Sequence, residues 1–366
     1  MEQKIDINPI PYLTWNWLKI NKDSTVYDFT FEENYGSEIQ IPHNVEISNG
    51  KAIKTLLPEP EYAIGKAAAD FIQNGATTGR IYTFKKSNDN NEIKPLIIRI
   101  TPENNSSAVQ IIHAIQGAEA KIIIVYSPSI TAGNKAGTSV SNLSGILTKI
   151  YAEENATVHI TKVNLLGQNQ NQIDETSVVC GDNAKVTLTQ IELGGSHVDA
   201  GFHATLQGYK SSFYSDTAYI TQNNQYIDMN QVVVHKGKKT DCNMKTDGTL
   251  KDNGTKTYRG TIDLRKECAG SKGNEMETTL LLSPTAIEKS APIILCGEED
   301  IAAEHGSTVG KLSKEMLFYM NSRGIDQATA EALLTRAKIT ACAANIPDEK
   351  IQEEINEWLN NELSEE

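Results

Sequence analysis

The chain lacks closely spaced cysteines, an excess of basic residues and any long apolar run. Its five cysteines lie far apart, which argues against a zinc knuckle and against a disulfide framework. Acidic residues outnumber basic ones by 47 to 34, and the net charge of -13 disfavours binding to nucleic acid or to an anionic membrane. No apolar run approaches the roughly 20 residues that span a bilayer, and the N-terminus lacks the apolar core of a secretory signal. We therefore expect a soluble, cytoplasmic protein with no nucleic-acid or membrane partner.

Residues 306–311 have the outline of a phosphate-binding loop, but their spacing excludes one. A P-loop places four residues between its two glycines and a Ser or Thr after its lysine. Here three residues separate Gly306 from Gly310, and Leu312 follows Lys311. We therefore expect that this chain binds no nucleotide of its own.

Short segments of alternating apolar residues dominate from about residue 80 to residue 303, with Asn, Gly and Asp between them, which predicts β-strands. Residues 154–160 (Glu-Asn-Ala-Thr-Val-His-Ile) match residues 182–188 (Asp-Asn-Ala-Lys-Val-Thr-Leu) at an offset of 28. A repeat of this size is typical of the coils of a β-solenoid, each of which stacks on the next. The alternative is a β-sandwich, whose hairpins would give closer turn signals.

After Gly310 the apolar period becomes helical, and three residues are suited to cap helices. Ser313, Asp326 and Asp348 each stand before an apolar-periodic segment, and Gly324 stands where the first helix should end. The pattern predicts three domains: a mixed N-terminal cap over residues 1–79 that includes a short helix at 63–74, a β-helix core over 80–308 and a helical domain over 309–366.

The second half of the chain carries three motifs in order. They are residues 258–262 (Tyr-Arg-Gly-Thr-Ile), 304–310 (Glu-His-Gly-Ser-Thr-Val-Gly) and 317–325 (Leu-Phe-Tyr-Met-Asn-Ser-Arg-Gly-Ile). Together they resemble the closing signature of the SufB/SufD family, which are scaffold proteins of the Suf system for building iron–sulfur clusters. Asp228 and His235 also fall where that family carries a polar Asp/His pattern.

The resemblance implies a fold, a cargo and two kinds of partner. The fold would be a right-handed parallel β-helix with a helical C-terminal domain that docks an ABC-type ATPase, SufC. A SufB/SufD-type core partner, or a second copy of this chain, would pair with it through the last β-strands. ATP hydrolysis by the ATPase would rearrange that core dimer and expose residues that hold a transient iron–sulfur cluster. The chain itself would be a non-catalytic scaffold.

The sequence departs from both family subtypes at the positions of their cysteines. Glu277 stands where the SufB type carries a cysteine, and Ala303 stands where the SufD type carries one. Glu304 matches the SufB type, whereas Gly306 matches the SufD type. The chain is therefore predicted to be intermediate, either SufD-like or a homodimeric SufB-like form.

Four residues are candidate ligands of a nascent cluster: His305, Glu304, Cys296 and Cys268. Thiolates, imidazole and, more rarely, carboxylates bind the iron of such clusters, and His305 matches the histidine of the family. Each has another interpretation: His305 as a hydrogen-bonded residue at the strand-to-helix corner, Glu304 as a solvated charge, and Cys296 as a thiol in a buried strand. Cys268 is placed near a turn.

The other cysteines and three of the histidines are given no ligand role. Cys180, Cys242 and Cys342 are expected to pack as small apolar residues. Three histidines stay unassigned because none has a partner at ligand spacing: His159, His197 and His203.

A three-helix cluster is too small to bury much by itself, so part of its apolar face should meet the β-rich body or a partner. The candidate partner-binding residues are Met316, Leu317, Phe318, Tyr319, Leu333 and Leu334. Two other functions remain open from the sequence. One is a β-helical protein that binds or degrades polysaccharide, although its solenoid carboxylates do not cluster in sequence; the other is a structural adaptor without metal chemistry.

Overall fold

A computed structural model of the protein describes residues 3–11, 16–27, 31–50, 59–76, 79–87, 93–128 and 142–363. These residues form two long β-sheets, a two-stranded hairpin and four α-helices. The hairpin consists of β1 (Gln3–Ile7) and β2 (Asp23–Tyr27), which are antiparallel. A single 3-10 turn, Asn16–Leu18, lies between its strands.

The ten-stranded sheet contains the even-numbered strands from β6 onward and two short strands from the N-terminal part, β3 and β5. Its members are β3 (Glu32–Glu33), β5 (Val45–Gly50), β6 (Gly79–Phe84), β8 (Ser106–Ala114), β10 (Asn142–Ala152), β12 (Gln170–Cys180), β14 (His197–Leu206), β16 (Tyr226–His235), β18 (Thr255–Leu264) and β20 (Ile287–Cys296). β5 pairs antiparallel with β6 and closes this sheet at its N-terminal end.

The nine-stranded sheet contains the strands that alternate with these along the chain. Its members are β4 (Ser37–Gln40), β7 (Leu96–Ile100), β9 (Glu119–Tyr126), β11 (Thr157–Asn164), β13 (Lys185–Glu192), β15 (Ser212–Thr221), β17 (Asp241–Leu250), β19 (Ser271–Leu281) and β21 (Ile301–Gly310). β4 pairs antiparallel with β7 at the N-terminal end.

From β6 onward each strand pairs in parallel with the strand two places along, so that consecutive strands alternate between the sheets. The chain therefore winds as a parallel β-solenoid of about 7 turns. This confirms the predicted solenoid, and the β-sandwich alternative is wrong because a sandwich needs antiparallel sheets.

The sequence repeat at an offset of 28 residues coincides with two stacked coils. Thr157 pairs in register with Lys185, 28 residues later. The asparagines of the two copies, Asn155 and Asn183, both have a left-handed backbone, with φ of 59° and 53°, which Asn tolerates better than most residues. The repeated Asn is therefore the corner of each coil.

The main apolar core lies between the two long sheets. Val158, Val186, Phe213 and Cys242 occupy one column of paired positions that point inward, and all are buried. Each coil thus buries its inward residues against the coils on either side. The buried positions of Cys180 and Cys242, where burial raises the pKa of each thiol to about 12, agree with their predicted packing roles.

Three of the four α-helices in the described part of the chain pack on the outer faces of the solenoid. α1 (Lys66–Gly75) begins three residues later than predicted and packs on β8 and β10 of the ten-stranded sheet. α2 (Lys314–Ser322), α3 (Gln327–Ala343) and α4 (Glu349–Leu363) follow β21, and α3 packs across β13, β15 and β17. The side chains of Ser313, Asp326 and Asp348 accept hydrogen bonds from the backbone N–H of Met316, Thr329 and Ile351, which confirms the three predicted caps.

Candidate functional site

The C-terminal end of the solenoid is open. β20 and β21 are the last strands of their sheets, and in the described part of the chain nothing pairs with their outer edges. Most side chains of β21 are exposed, and those of β20 are mostly half-buried, whereas β18, one coil before β20, is almost wholly buried. Two edges of ten residues each are thus available for pairing with another chain.

His305 lies in the middle of β21, on the face that continues the interior of the solenoid. It pairs in register with Glu275 of β19, and Ser307 pairs with Glu277. Because Ser307 Oγ donates a hydrogen bond of 2.9 Å to Glu277, His305, two residues earlier, points to the same side. Glu304 points to the opposite face, and both residues are exposed. The interpretation of His305 as a corner residue is wrong, because the strand continues to Gly310.

The segment that resembles a P-loop begins within the same strand, β21. Gly306 and Gly310 both lie in β21, so the backbone between them is extended. A phosphate cradle needs a loop whose amides converge on one point, and an extended strand points successive amides to opposite sides. The segment does not have the shape of a phosphate-binding loop.

A buried cluster of charges lies one coil below His305. Lys256 of β18 contacts Glu277, and its Nζ lies 2.9 Å from Oε1 of Glu288. Ser290 also donates a hydrogen bond to Glu277. Burial lowers the pKa of Lys256 to about 8, although the negative charge of Glu288 acts to raise it. Glu277 is therefore the centre of a buried ion-pair network and not an exposed ligand.

Glu275 is the least satisfied polar group in this region. It is 1% exposed, and neither of its carboxylate oxygens has a well-directed hydrogen bond among the described residues, although the Tyr258 hydroxyl lies close enough to lower its pKa. Burial raises its pKa to about 7. Gly260 lies directly beside it, since a Cβ on that glycine would come within 3.1 Å of the Glu275 carboxylate. The site therefore holds a carboxyl group under His305 that changes charge near neutral pH. No sequence motif indicated it.

Glu275→Gln is expected to stabilise the protein above pH 7 and to have little effect near pH 4.5. The folded protein holds the proton more tightly than the ordinary value of 4.5, so the stability linked to this proton is lost as pH rises from 4.5 through about 7. At about pH 8 the variant should gain up to about 3 kcal/mol in the free energy of unfolding, measured by urea unfolding at both pH values. The exposed Glu299→Gln serves as the control, and an equal gain at both pH values would contradict the assignment.

The two candidate cysteines have opposite environments. Cys268 is buried in the turn between β18 and β19, where burial raises its pKa, so its thiolate is disfavoured as a ligand. Cys296 ends β20 and is exposed, and its Sγ donates to the backbone oxygen of Glu298 at 3.1 Å. The interpretation of Cys296 as a buried core thiol is wrong, because among the described residues no further coil stacks on β20.

Within one chain these candidates do not form a complete metal site. His305 is the fifth residue of β21, so about 13 Å of extended strand separates it from the turn that follows Cys296. Among the described residues, His305, Glu304, Cys296 and Cys268 do not form a group of three ligand atoms within reach of one ion. The four candidates of one chain therefore do not hold a single ion together.

The C-terminal helices divide into a docked part and a free part. α3 and α4 bury Ile339, Ile355 and Leu359 against the outer face of the nine-stranded sheet, and Arg99 makes a two-pronged ion pair with Glu354, at 2.7 and 3.0 Å. This confirms that part of the apolar face meets the β body.

α2, in contrast, buries no residue. Phe318 is 77% exposed, and Met316, Tyr319 and Leu333 are also exposed, while Leu317 and Leu334 are half-buried. An exposed group of large apolar and aromatic side chains of this kind is typical of a protein-binding surface.

Two polar clusters lie on the outer face of the ten-stranded sheet, beneath the hairpin. In the first, Arg259 of β18 pairs with Asp228 of β16, which also accepts a 2.7 Å hydrogen bond from Asn8. In the second, His197 lies beside Asp23 and Asp199. The expectation that His197 has no partner at ligand spacing is wrong. The signal was present in the spacing His197-x-Asp199, because residues two apart in a strand share a face.

The geometry above defines a class: a parallel β-solenoid with an open C-terminal end and a helical module docked on one sheet. The family described as "SUF system FeS cluster assembly, SufBD core domain" matches residues 99–338, more than half of the chain. The chain therefore belongs to the SufBD family of the SUF iron–sulfur cluster assembly system.

Individual relatives are similar over about half of this chain. The chloroplastic iron–sulfur cluster assembly SufBD family protein of Arabidopsis thaliana is 26% identical over 195 residues, which cover 53% of this chain and 34% of that protein. SufBD family proteins of Antithamnion and Synechocystis are 25% and 24% identical, over 53% and 54% of this chain and 68% and 46% of their own length. The matched region thus spans from one third to about two thirds of these relatives.

Location is not fixed by these comparisons. The Arabidopsis relative is described as chloroplastic, so a cytoplasmic location stays a prediction. In the part of the chain that the structure describes, no helix has the length and apolar character needed to cross a membrane.

Proposed function

We propose that this chain is a core scaffold subunit of a Suf-type iron–sulfur cluster assembly complex. Its membership of the SufBD family supports the pathway. The single observation that carries the role is the open end of the solenoid, where two unpaired strand edges flank the exposed His305. The chain contributes no catalysis of its own in this proposal, and nucleotide hydrolysis belongs to a partner.

The cargo is a transient iron–sulfur cluster held between two chains. His305, Glu304 and the exposed Cys296 supply imidazole, carboxylate and thiolate, which are ligand types that iron accepts. Cys268 ranks last among the four candidates because it is buried with a raised pKa. Since the candidates of one chain do not bring three ligand atoms within reach of one ion, pairing through β20 and β21 completes the set with residues from a SufB/SufD-type partner or a second copy.

Iron and acid-labile sulfide should copurify with the protein and depend on His305. The chain is purified anaerobically from cells that express it at native levels, and iron and sulfide are measured per chain. His305→Ala should lower the bound iron more than about tenfold, by analogy with the loss caused by disrupting the surroundings of a metal ligand. His113→Ala is the control, because His113 pairs with Glu153 in a distant coil. Equal iron in both variants would contradict the ligand role and leave the adaptor function.

The second partner is an ABC-type ATPase of the SufC type that docks on the C-terminal helices. Exposed aromatic side chains on α2, Phe318 and Tyr319, are the proposed anchors, joined by Met316, Leu317, Leu333 and Leu334. Truncating a side chain that is buried as an anchor in an interface lowers the binding free energy by about 2 kcal/mol or more.

Phe318→Ala and Tyr319→Ala should therefore each weaken ATPase binding by about thirtyfold. The measurement is titration of the purified ATPase against the purified chain by calorimetry. Tyr209→Ala is the matched control, since Tyr209 is an exposed tyrosine on the solenoid away from these helices. Tight binding by both α2 variants would place the docking surface elsewhere.

A further inference from the structure

A second group of metal-ligating side chains lies far from the open end, on the outer face of the ten-stranded sheet. His197 and Asp199 are two residues apart on β14 and share a face, and Asp23 is the first residue of β2 in the N-terminal hairpin. Their ligand atoms all lie within 4.8 Å of one another. The group joins two parts of the chain that are 174 residues apart in sequence.

The spacing of these atoms matches that of ligands around a metal ion. His197 Nε2 lies 3.3 Å from Oδ2 of Asp23 and 3.3 Å from Oδ2 of Asp199. An ordinary pair in the same protein, His113 with Glu153, is closer, at 2.7 Å. Ligands about 2.05 Å from a zinc ion stand about 3.3 Å apart at the corners of a tetrahedron.

One of the three ligands, Asp199, is buried, and the other two are partly exposed to solvent. Asp199 is 2% exposed, and its Oδ1 has no hydrogen-bond partner among the described residues. The side chains of His197 and Asp23 are 37% and 22% exposed, which leaves room for entry of an ion and for a water ligand.

The carboxylate of Asp228, which lies beside Asp199, already has its own ion-pair and hydrogen-bond partners. Asp228 pairs in register with Asp199, but it is held by Arg259, by Asn8 and by a hydrogen bond from the Tyr226 hydroxyl. The Tyr226 ring packs against His197, with centroids 4.6 Å apart, and limits the rotation of the imidazole. In Asp199, by contrast, Oδ1 has no hydrogen-bond partner among the described residues, and Oδ2 faces His197.

We propose that Asp23, His197 and Asp199 bind one divalent transition-metal ion, with water completing a four-coordinate shell. One imidazole and two carboxylates suit zinc or ferrous iron, whereas calcium and magnesium prefer oxygen ligands alone. Because Asp23 belongs to the hairpin and the other ligands to the solenoid, the ion cross-links the hairpin to the coil. The competing occupant of the same space is a proton, which would leave an imidazolium between two carboxylates and no metal.

Zinc binding by the chelator-stripped chain tests the proposal. Equilibrium dialysis against a small excess of zinc, followed by elemental analysis, gives the zinc bound per chain. Asp23→Asn and Asp199→Asn should each bind one equivalent of zinc less than the wild-type chain, because loss of one ligand weakens the site more than about tenfold. Thermal melts show that both variants remain folded. His113→Gln should keep every equivalent. Unchanged zinc content in both Asp variants would overturn the site in favour of the imidazolium.

Hydrogen exchange of the hairpin supplies a second readout that does not depend on counting ions. Zinc should slow exchange of the β1 and β2 amides in the wild-type chain and should have no effect in Asp199→Asn. Zinc that leaves hairpin exchange unchanged in the wild type would overturn the cross-link. His305→Ala should retain the effect, so that a failure of the cluster-ligand proposal and a failure of this site are distinguishable.

Discussion

Arg259→Met is expected to lower the free energy of unfolding by about 3–5 kcal/mol. Arg259 and Asp228 are 1% and 0% exposed, and their side chains form an ion pair in which Nη2 lies 3.1 Å from Oδ2. The Arg259 Nε also donates a 2.6 Å hydrogen bond to the backbone oxygen of Ile20. Removal of the guanidinium leaves the Asp228 carboxylate buried and uncompensated, and breaking one side of a buried pair has an effect of this size.

The double variant Arg259→Met with Asp228→Asn separates the unpaired charge from the lost packing. It should recover much of the stability, because a buried pair replaced on both sides is often nearly neutral. Arg99→Met is the matched control: its pair with Glu354 is partly exposed, so the loss should be about 1 kcal/mol or less. The shift of the urea midpoint measures all three variants. Equal losses in Arg259→Met and Arg99→Met would contradict the argument.

The fold was predictable because its signals are local. A coil of the solenoid is encoded by a corner asparagine and the alternating residues after it, so the offset between Asn155 and Asn183 already gives the stacking register. The caps Ser313, Asp326 and Asp348 act on N–H groups three residues away. Such interactions are contained within one short window of sequence.

Much of the candidate site was not predictable, because it depends on residues brought together by stacking. Glu275 is buried without a well-directed hydrogen bond only because β21 covers β19 and Gly260 leaves space beside it. Likewise Asp23 meets His197 only after the hairpin has docked on the solenoid. The exposure of Cys296 has the same origin, since an apolar strand is buried only if another coil follows it.

The open end of the solenoid is the feature that most requires a partner. Long, unpaired and partly apolar strand edges favour aggregation unless another chain covers them, and β20 and β21 each leave ten residues of edge. The N-terminal end differs, because the antiparallel strands β4 and β5 close it. The asymmetry between the two ends therefore favours association through the C-terminal end alone.

Ile287→Lys combined with Val309→Lys is expected to convert the proposed homodimer into a monomer. Ile287 begins β20, Val309 lies one residue before the end of β21, and both are large apolar side chains that are exposed at the open end. In a symmetric dimer each substitution occurs twice, and the ammonium group of every lysine would lose its hydrating water at the interface, which costs free energy. The dissociation constant should rise more than about a hundredfold, measured by sedimentation velocity of the purified chain.

Ile41→Lys is the matched control for this pair, because Ile41 is an equally exposed isoleucine that follows β4 at the closed end. It should leave the dimer intact if association uses only the open end. A wild-type chain that sediments as a monomer would contradict pairing of two identical copies and would require a different SufB/SufD-type chain to cover β20 and β21. A dimer that survives the double substitution would instead show that the edges are not the interface. His305 would then lack the second chain that its incomplete ligand set requires.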